Sequence, residues 1–213
     1  SDLSIVEKLY QKAQKNTKSG QKEGMPMKEL VEKILTALKE GTSLRKLTFG
    51  KEELVLLKNF QLLTLKPVLY VANVNESGFE NNPHLDLILD YATQDHSKVV
   101  PICAEIEAEI CELSNDEKKE FLLEMGQNES GLDRLIKAGY DLLGLHTYFT
   151  AGEKEVKAWT ITVGDSAPVA AGKIHTDFEK GFIRAETISF QDYIDYKGEK
   201  GAKDAGKLRT EGK

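Results

Sequence analysis

Two stretches near the start of the chain repeat apolar residues at helical spacing. Ile5, Leu9 and Ala13 form a sparse set. Met27, Leu30, Val31, Ile34, Leu35 and Leu38 form a denser one, in the order i, i+3, i+4, i+7, i+8 with one further turn. Residues 15–24 between them are polar and read as a loop. Two amphipathic helices joined by such a loop predict an antiparallel hairpin, and the narrow apolar stripe fits a coiled-coil arm. A plain helical hairpin with no partner would carry the same stripe. Gly41 is the stop of the second helix, and residues 51–60 predict a third, short one.

Beyond residue 60 the pattern alternates between strand and helix. Pro67-Val68-Leu69-Tyr70-Val71-Ala72 reads as a strand. Asn82 followed by Pro83 is an N-cap with proline in the first turn, opening a helix to about residue 94 with Leu85, Ile88, Leu89 and Ala92 on one face. Val99-Val100-Pro101-Ile102-Cys103-Ala104 reads as a buried parallel strand. Ser114 with Glu117, and Ser130 with Asp133, are capping patterns ahead of two more helices, and Gly144 stops the second. This order predicts part of an open α/β sheet, whose ligands bind beyond the carboxyl ends of the strands. From residue 145 the pattern turns to β: a hairpin around Gly152, a short helix over 168–174, and a strand over 184–189. Three segments are expected: 1–60, 61–144 and 145–213.

The 213 residues carry a net charge of −6 and a mean hydropathy of −0.40, and their apolar runs are far too short to span a bilayer, so no membrane partner is expected. The start, Ser1-Asp2-Leu3-Ser4, has no signal-peptide pattern. Cys103 and Cys111 lack metal or redox spacing and read as free, partly buried thiols of a cytoplasmic protein. The charge is uneven: 12 basic against 8 acidic residues in 1–58, 6 against 16 in 59–144, and 11 of each in 145–213. An acidic middle argues against a whole-surface nucleic-acid binder, and no DNA sequence specificity is expected; any RNA contact should sit on the outer segments. Ordinary solvated surfaces would show the same asymmetry.

The residues that carry candidate chemistry are Asn73-Val74-Asn75-Glu76, directly after the first strand. A strand opening into Asn-x-x-acid resembles the base-reading loop of P-loop nucleotide-binding domains, which in GTPases reads Asn-Lys-x-Asp. The Asp there accepts from guanine N1–H and the 2-amino group. Here Val74 stands at the Lys position and Glu76 at the Asp position. Adenine N1 is an acceptor and would repel a carboxylate, whereas an Asn amide can pair with adenine N6–H and N7. The loop therefore reads as having lost a guanine preference, with Asn73 on the purine, the Val74 backbone beside N6 or N1, and Glu76 turned away. Cys103-Ala104-Glu105 ends the second strand where P-loop domains carry a second loop over the base, and its small residues leave room for a purine. A polar turn after a buried strand is the other reading of the same tetrapeptide.

His146 and His175 stand in strand-like settings without a nucleophile and read as structural or RNA-facing. Trp159 and Phe182 could stack on bases but read first as core. Lys197, Lys200, Lys203, Lys207 and Arg209 form a mildly basic tail, which could meet phosphates or simply be solvated.

Residues 65–83 resemble the YchF/Obg-like ATPase family, as do Leu145-His146-Thr147-Tyr148-Phe149-Thr150-Ala151-Gly152 and the thirteen residues from Ile174 to Glu186. The last is similar to the signature of that family's TGS domain, and the resemblance covers essentially the whole chain. It implies an α/β fold with appended parts: a helical coiled-coil hairpin, a partial P-loop NTPase sheet over 61–144, and a β-grasp TGS domain over 145–213 with its last strand missing. It implies ATP as substrate, Mg²⁺ held by an N-terminal part outside this chain, and the ribosome or ribosomal RNA as partner. The chain contains no Gly-x-x-x-x-Gly-Lys-[Ser/Thr]. Phosphoryl transfer needs that backbone cradle with its Lys and metal. The expectation is a portion of a ribosome-associated ATPase that is inactive by itself and carries no catalytic or metal residue. The alternative is a non-enzymatic RNA- or ribosome-binding adaptor. Ribosome sedimentation with and without ATP separates the two.

Overall fold

The computed structural model describes residues 1–18 and 24–212 and divides into two compact units, Ser1–Leu142 and Leu143–Lys213. In the first unit, α1 (Asp2–Lys18) and α2 (Gly24–Lys39) pack along their length. Helix α1 continues through residues 15–18, which the polarity of that stretch assigns to a loop; the remainder of that loop, 19–23, lies outside the described residues. The stripe on α2 is buried as its spacing requires, with Leu30, Val31, Ile34 and Leu35 inside. On α1 the buried apolar positions are Val6 and Ala13, whereas Ile5 is exposed.

The hairpin does not bury this face on itself alone. After α2 come a 3₁₀ turn at Leu44–Lys46, α3 (Lys51–Lys58) and a second 3₁₀ turn at Leu63–Leu65. Leu44, Leu57 and Leu62 from these pieces join the same core. Asp2 closes it: its carboxylate accepts from the Leu63 and Thr64 N–H groups at 3.1 and 2.6 Å and from the Thr64 hydroxyl at 2.7 Å. Burial pushes the Asp2 pKa up, but these hydrogen bonds outweigh it and hold the carboxyl below its ordinary value.

The α/β part follows. Strand β1 (Leu69–Asn73) leads through a loop to α4 (Pro83–Gln94), and β2 (Lys98–Ile102) returns parallel to β1 with Asn73 opposite Ile102. Asn82 caps α4 as its position predicts, accepting from the His84 and Leu85 N–H groups. Of the expected apolar face of α4, Leu85 and Ala92 are buried while Ile88 and Leu89 stay exposed. Two strands give the helix only a narrow surface to cover. Three helices complete the unit: α5 (Ala104–Glu112), α6 (Asn115–Glu124) and α7 (Gly131–Leu143). Both capping patterns form. The Ser114 N–H and hydroxyl both donate to the Glu117 carboxylate, at 2.9 and 2.6 Å, and Ser130 accepts from Asp133 N–H at 3.1 Å. Helix α5 has no such cap: Cys103 stands at its N-cap position without a side-chain bond. It starts directly from β2, and its Glu107 accepts from the first two N–H groups of α7, those of Gly131 and Leu132.

The two halves of this unit meet at Asp95, which is fully buried just after α4. Its Oδ2 accepts from Arg45 Nε and Nη2 at 2.9 and 2.7 Å, from the Tyr70 hydroxyl at 3.1 Å and from the Ser97 hydroxyl at 3.1 Å. Lys46 Nζ lies 3.6 Å from Oδ1. Burial pushes the Asp95 pKa up, yet the hydrogen bonds from Arg45, Ser97 and Tyr70 outweigh it and leave the carboxyl lowered. Burial, then the bond to Asp95, pushes the Tyr70 phenol up.

In the second unit, β3 (Leu145–Ala151) and β4 (Val156–Thr162) form an antiparallel hairpin, followed by α8 (Ala167–Ile174) and the short α9 (Thr176–Lys180). Strand β5 (Arg184–Thr187), α10 (Phe190–Asp195), α11 (Glu199–Asp204) and β6 (Arg209–Gly212) complete it. The stretch from Lys197, read as a loose basic tail, is thus ordered into α11 and β6. β6 pairs antiparallel with β5, with Arg184 opposite Gly212 and Thr187 opposite Arg209. Lys207 lies 3.5 Å from Asp192, tying this segment back to α10. Gly201 permits the turn: a Cβ there would stand 1.9 Å from the Tyr196 carbonyl oxygen. Tyr148 donates to the Ala170 carbonyl at 2.8 Å, seating α8 on the hairpin.

Asp95→Ala leaves the Arg45 guanidinium partly buried without its counter-charge, and is expected to destabilise the first unit by about 3–5 kcal/mol in chemical denaturation. Because the folded pKa of Asp95 is depressed, its contribution is complete above the ordinary carboxylate value of about 3.9 and is lost as pH falls from there through the folded value. Asp95→Asn is expected to flatten that acid limb of a stability-against-pH curve.

Candidate nucleotide-binding site

β1 and β2 end side by side, and the loops that leave them run together. The Val74 N–H donates to the Ile102 carbonyl at 2.8 Å, carrying the ladder one residue past β1. The Asn73 side chain then crosses to the other loop, where its Oδ1 accepts from the Ala104 N–H at 3.1 Å. That N–H is one of the free donors at the start of α5, so Asn73 supplies a cap from a residue 31 positions away. An N–H can bond only to the carbonyl oxygen, so the orientation of the Asn73 amide is fixed and its NH₂ is directed elsewhere.

Residues 75–82 fold back tightly. The Gly78 N–H donates to the Asn75 carbonyl at 2.9 Å, and Asn82 Nδ2 donates to the Gly78 carbonyl at 3.0 Å. Gly78 is buried, and a Cβ there would stand 2.5 Å from Asn75 Oδ1 and 3.1 Å from Val74 Cβ. A side chain here would have to displace the Asn75 amide and press on Val74, so glycine suits this close passage. Phe79 next to it packs on the small core of Cys103, Ile106, Ile110 and Leu122. The loop is therefore held at three points: a backbone bond to β2, a side-chain bond to α5, and an aromatic anchor in the core.

Of the six residues singled out in the sequence, Asn73, Glu76, Ala104 and Glu105 are exposed, Val74 is half-buried and Cys103 is buried. An open depression of about 670 Å³ beside the loops is lined by Asn75, Glu76, Ser77, Glu105, Glu124 and Met125. Glu76 and Glu105 thus line it, while Asn73, Val74, Cys103 and Ala104 do not. Asn75 and Ser77 share the loop with the residues named from sequence. Glu124 and Met125 come from the end of α6, and no local signal in the sequence places them here. Three carboxylates on the rim disfavour a phosphate at this spot and suit a neutral, hydrogen-bonding group.

The remaining candidates fall elsewhere. His175 caps α9, its Nδ1 accepting from the Asp177 N–H at 3.2 Å, which is a structural role. Trp159 is half-buried, donates to the Thr150 hydroxyl at 3.0 Å and carries Lys157 over its ring at 4.1 Å. Phe182 is buried. Both cysteines are free, and Cys111 is exposed rather than partly buried. Among the described residues no group of three or more His, Cys, Asp or Glu side chains is placed to hold a metal ion. No helix among them is long and apolar enough to cross a membrane.

Comparison with known proteins gives a consistent picture. The family YchF-GTPase_C, described as "Protein of unknown function (DUF933)", matches residues 145–213. The chain is 55% identical over 213 residues to the protein named "Ribosome-binding ATPase YchF" of Escherichia coli O157:H7. It is 47% identical over 216 residues to the protein of the same name from Bacillus subtilis (strain 168). Each alignment covers 100% of this chain and 59% of the relative. Among solved structures, that of the Schizosaccharomyces pombe YchF GTPase superposes with a TM-score of 0.86 at 34% identity, covering 100% of this chain and 58% of that one. The chain is homologous over its whole length to the YchF family, and it spans about three fifths of the length of the relatives it matches.

Proposed function

We propose that this chain is the base-reading portion of a ribosome-associated ATPase that takes ATP in preference to GTP. In this reading residues 1–60 form a coiled-coil arm, 61–144 part of a P-loop nucleotide-binding domain, and 145–213 a TGS domain. The observation that carries it is the bond from Ala104 N–H to Asn73 Oδ1, which ties both loops together beyond the ends of two parallel strands. With Oδ1 engaged, the Asn73 NH₂ is left to donate to purine N7. The Val74 N–H is also engaged, by Ile102, so the Val74 carbonyl is the group left to meet the base. A carbonyl accepts from the 6-amino group of adenine and repels the O6 of guanine. Glu76 stands among the rim carboxylates and takes no part in the base contact.

Discrimination of this kind supplies little affinity without a phosphate cradle. Adenosine is therefore expected to bind the 213-residue chain weakly, and ATP is expected not to be hydrolysed by it. In a titration followed by amide chemical shifts, adenosine should move residues 73–76 and 103–105, with guanosine weaker by about tenfold or more. Asn73→Ala should abolish the response. Exchanging Val74→Lys with Glu76→Asp should raise guanosine affinity. Equal responses to both nucleosides in the unaltered chain would overturn the reading. Gly78→Ala should push Asn75 and Val74 out of place, weaken adenosine binding, and cost about 1–3 kcal/mol of stability through overpacking.

A further inference from the structure

The start of α7 is held from another helix. A helix begins with N–H groups that have no partner inside it. In α7 the first two, of Gly131 and Leu132, donate to Glu107 Oε1 and Oε2 at 2.6 and 3.1 Å. The third, of Asp133, donates to the Ser130 hydroxyl at 3.1 Å. Ser130 is a local cap, directly ahead of the helix, whereas Glu107 lies on α5, 24 residues before Gly131. Gly131 is buried and makes the approach possible. A Cβ there would stand 2.7 Å from Glu107 Oε1 and 3.1 Å from Ile102 Cγ2. In the same turn Arg134 reaches the end of β2, its Nη2 donating to the Pro101 carbonyl at 3.4 Å. Its Nη1 donates to the Gln127 side chain and the Glu129 carbonyl at 3.0 and 3.2 Å. The start of α7 therefore backs onto Pro101, Ile102 and Glu107, which flank the loop of Cys103, Ala104 and Glu105.

Helix α5 depends on that support, because Cys103 gives it no side-chain cap. Its start is set from two sides. Asn73 Oδ1 accepts from the Ala104 N–H on one, and α7 holds the Glu107 side chain on the other. The Glu107 N–H also closes the first turn of α5 on the Cys103 carbonyl at 3.0 Å. A carboxylate taking two N–H donors at a helix start is a charge-assisted contact, stronger than the neutral bond from Asn73. The stronger contact fixes where Ala104 stands, and the weaker one follows it. The Asn73 amide is oriented only while the Ala104 N–H faces its oxygen. With Glu107 released, the start of α5 can shift, and an amide without a fixed partner can turn over and present oxygen in place of NH₂.

We propose that Glu107 is a positioning residue for purine recognition: bound to the N-terminus of α7, it fixes the start of α5 and thereby aims the Asn73 NH₂ at purine N7. It touches no part of the ligand itself. The inference rests on the base-reading proposal above and extends it to a residue outside both loops. The Val74 carbonyl is a separate contact, set by the bond from the Val74 N–H to Ile102. Glu107 therefore governs the contact to N7 and not the choice between adenine and guanine.

The test is an amide-shift titration of the 213-residue chain with adenosine, with guanosine, and with 7-deazaadenosine, in which a C–H replaces N7. The unaltered chain is expected to bind adenosine about 3- to 10-fold tighter than 7-deazaadenosine, the worth of one neutral hydrogen bond. Glu107→Ala is expected to lose that advantage, so that the two bind alike, while adenosine stays preferred over guanosine. Glu107→Gln keeps one carbonyl acceptor and is expected to fall between; it decides alone if the alanine variant does not fold. Ser130→Ala removes the local cap of α7 and leaves the bonds to Glu107. It should lower the denaturation midpoint yet keep the full N7 advantage, as Glu107 variants would if that residue served stability only. If the unaltered chain prefers adenosine to guanosine and the Glu107 variants keep the N7 advantage, the inference is wrong and the base-reading proposal stands. The inference also falls if Ser130→Ala loses the advantage equally, or if the unaltered chain binds adenosine and 7-deazaadenosine alike. Equal responses to adenosine and guanosine in the unaltered chain would overturn both.

Discussion

One buried carboxylate holds the first unit together. Asp95 gathers a guanidinium, a phenol and a hydroxyl on a single oxygen, with an ammonium near the other. In a low-dielectric interior such a group is tolerated only when it is paired and hydrogen-bonded, and removing a partner exposes the full desolvation cost. The partners come from different places: Arg45 and Lys46 from the turn after the helical hairpin, Tyr70 from β1, Ser97 from the entrance to β2. The constraint therefore fixes the hairpin, both strands and the end of α4 in one arrangement. Tyr70 lies three residues before Asn73 on the same strand, so the register that Asp95 enforces is also the register that positions the loop from Asn73 to Glu76.

The loop region continues that logic with smaller forces. A five-residue parallel pair has little stability by itself. It is supplemented by Val74 extending the ladder, by Asn73 capping α5, and by Phe79 anchored in the α5–α6 core. Each device uses a polar or aromatic group already present in the loop, so the segment that would meet a nucleobase is positioned before any ligand arrives. Preorganisation of this kind matters most where the contact energy is small, as it is for a base without its phosphates.

Charge sets the chemistry beside the loops. The rim of Glu76, Glu105 and Glu124 excludes anions from the depression there. These acids are a consequence of local composition, yet their meaning depends on where folding places them. The acidic rim needs three separate elements to converge.

Much of the architecture could be read directly from the residues. The stripe on α2, the Asn82–Pro83 start of α4, the box formed by Ser114 and Glu117, and the alternation around Gly152 are all local, and each formed as its period or cap requires. The loop that begins at Asn73 was legible for the same reason, since the apolar run before it reads as a strand. What the sequence could not disclose is pairing across distance. Arg45 and Asp95 are 50 residues apart and look like two ordinary surface charges. Nothing near Glu107 announces that it caps α7, and nothing near Glu124 or Met125 places them beside Glu76. The lysine- and glycine-rich end looked like a tail because its helix is short, and its strand exists only through pairing with β5. Local periodicity and capping are energies of neighbouring residues and are written in order along the chain. Ion pairs, strand partners and the walls of a depression are energies between distant residues, and only the folded arrangement brings those residues within reach.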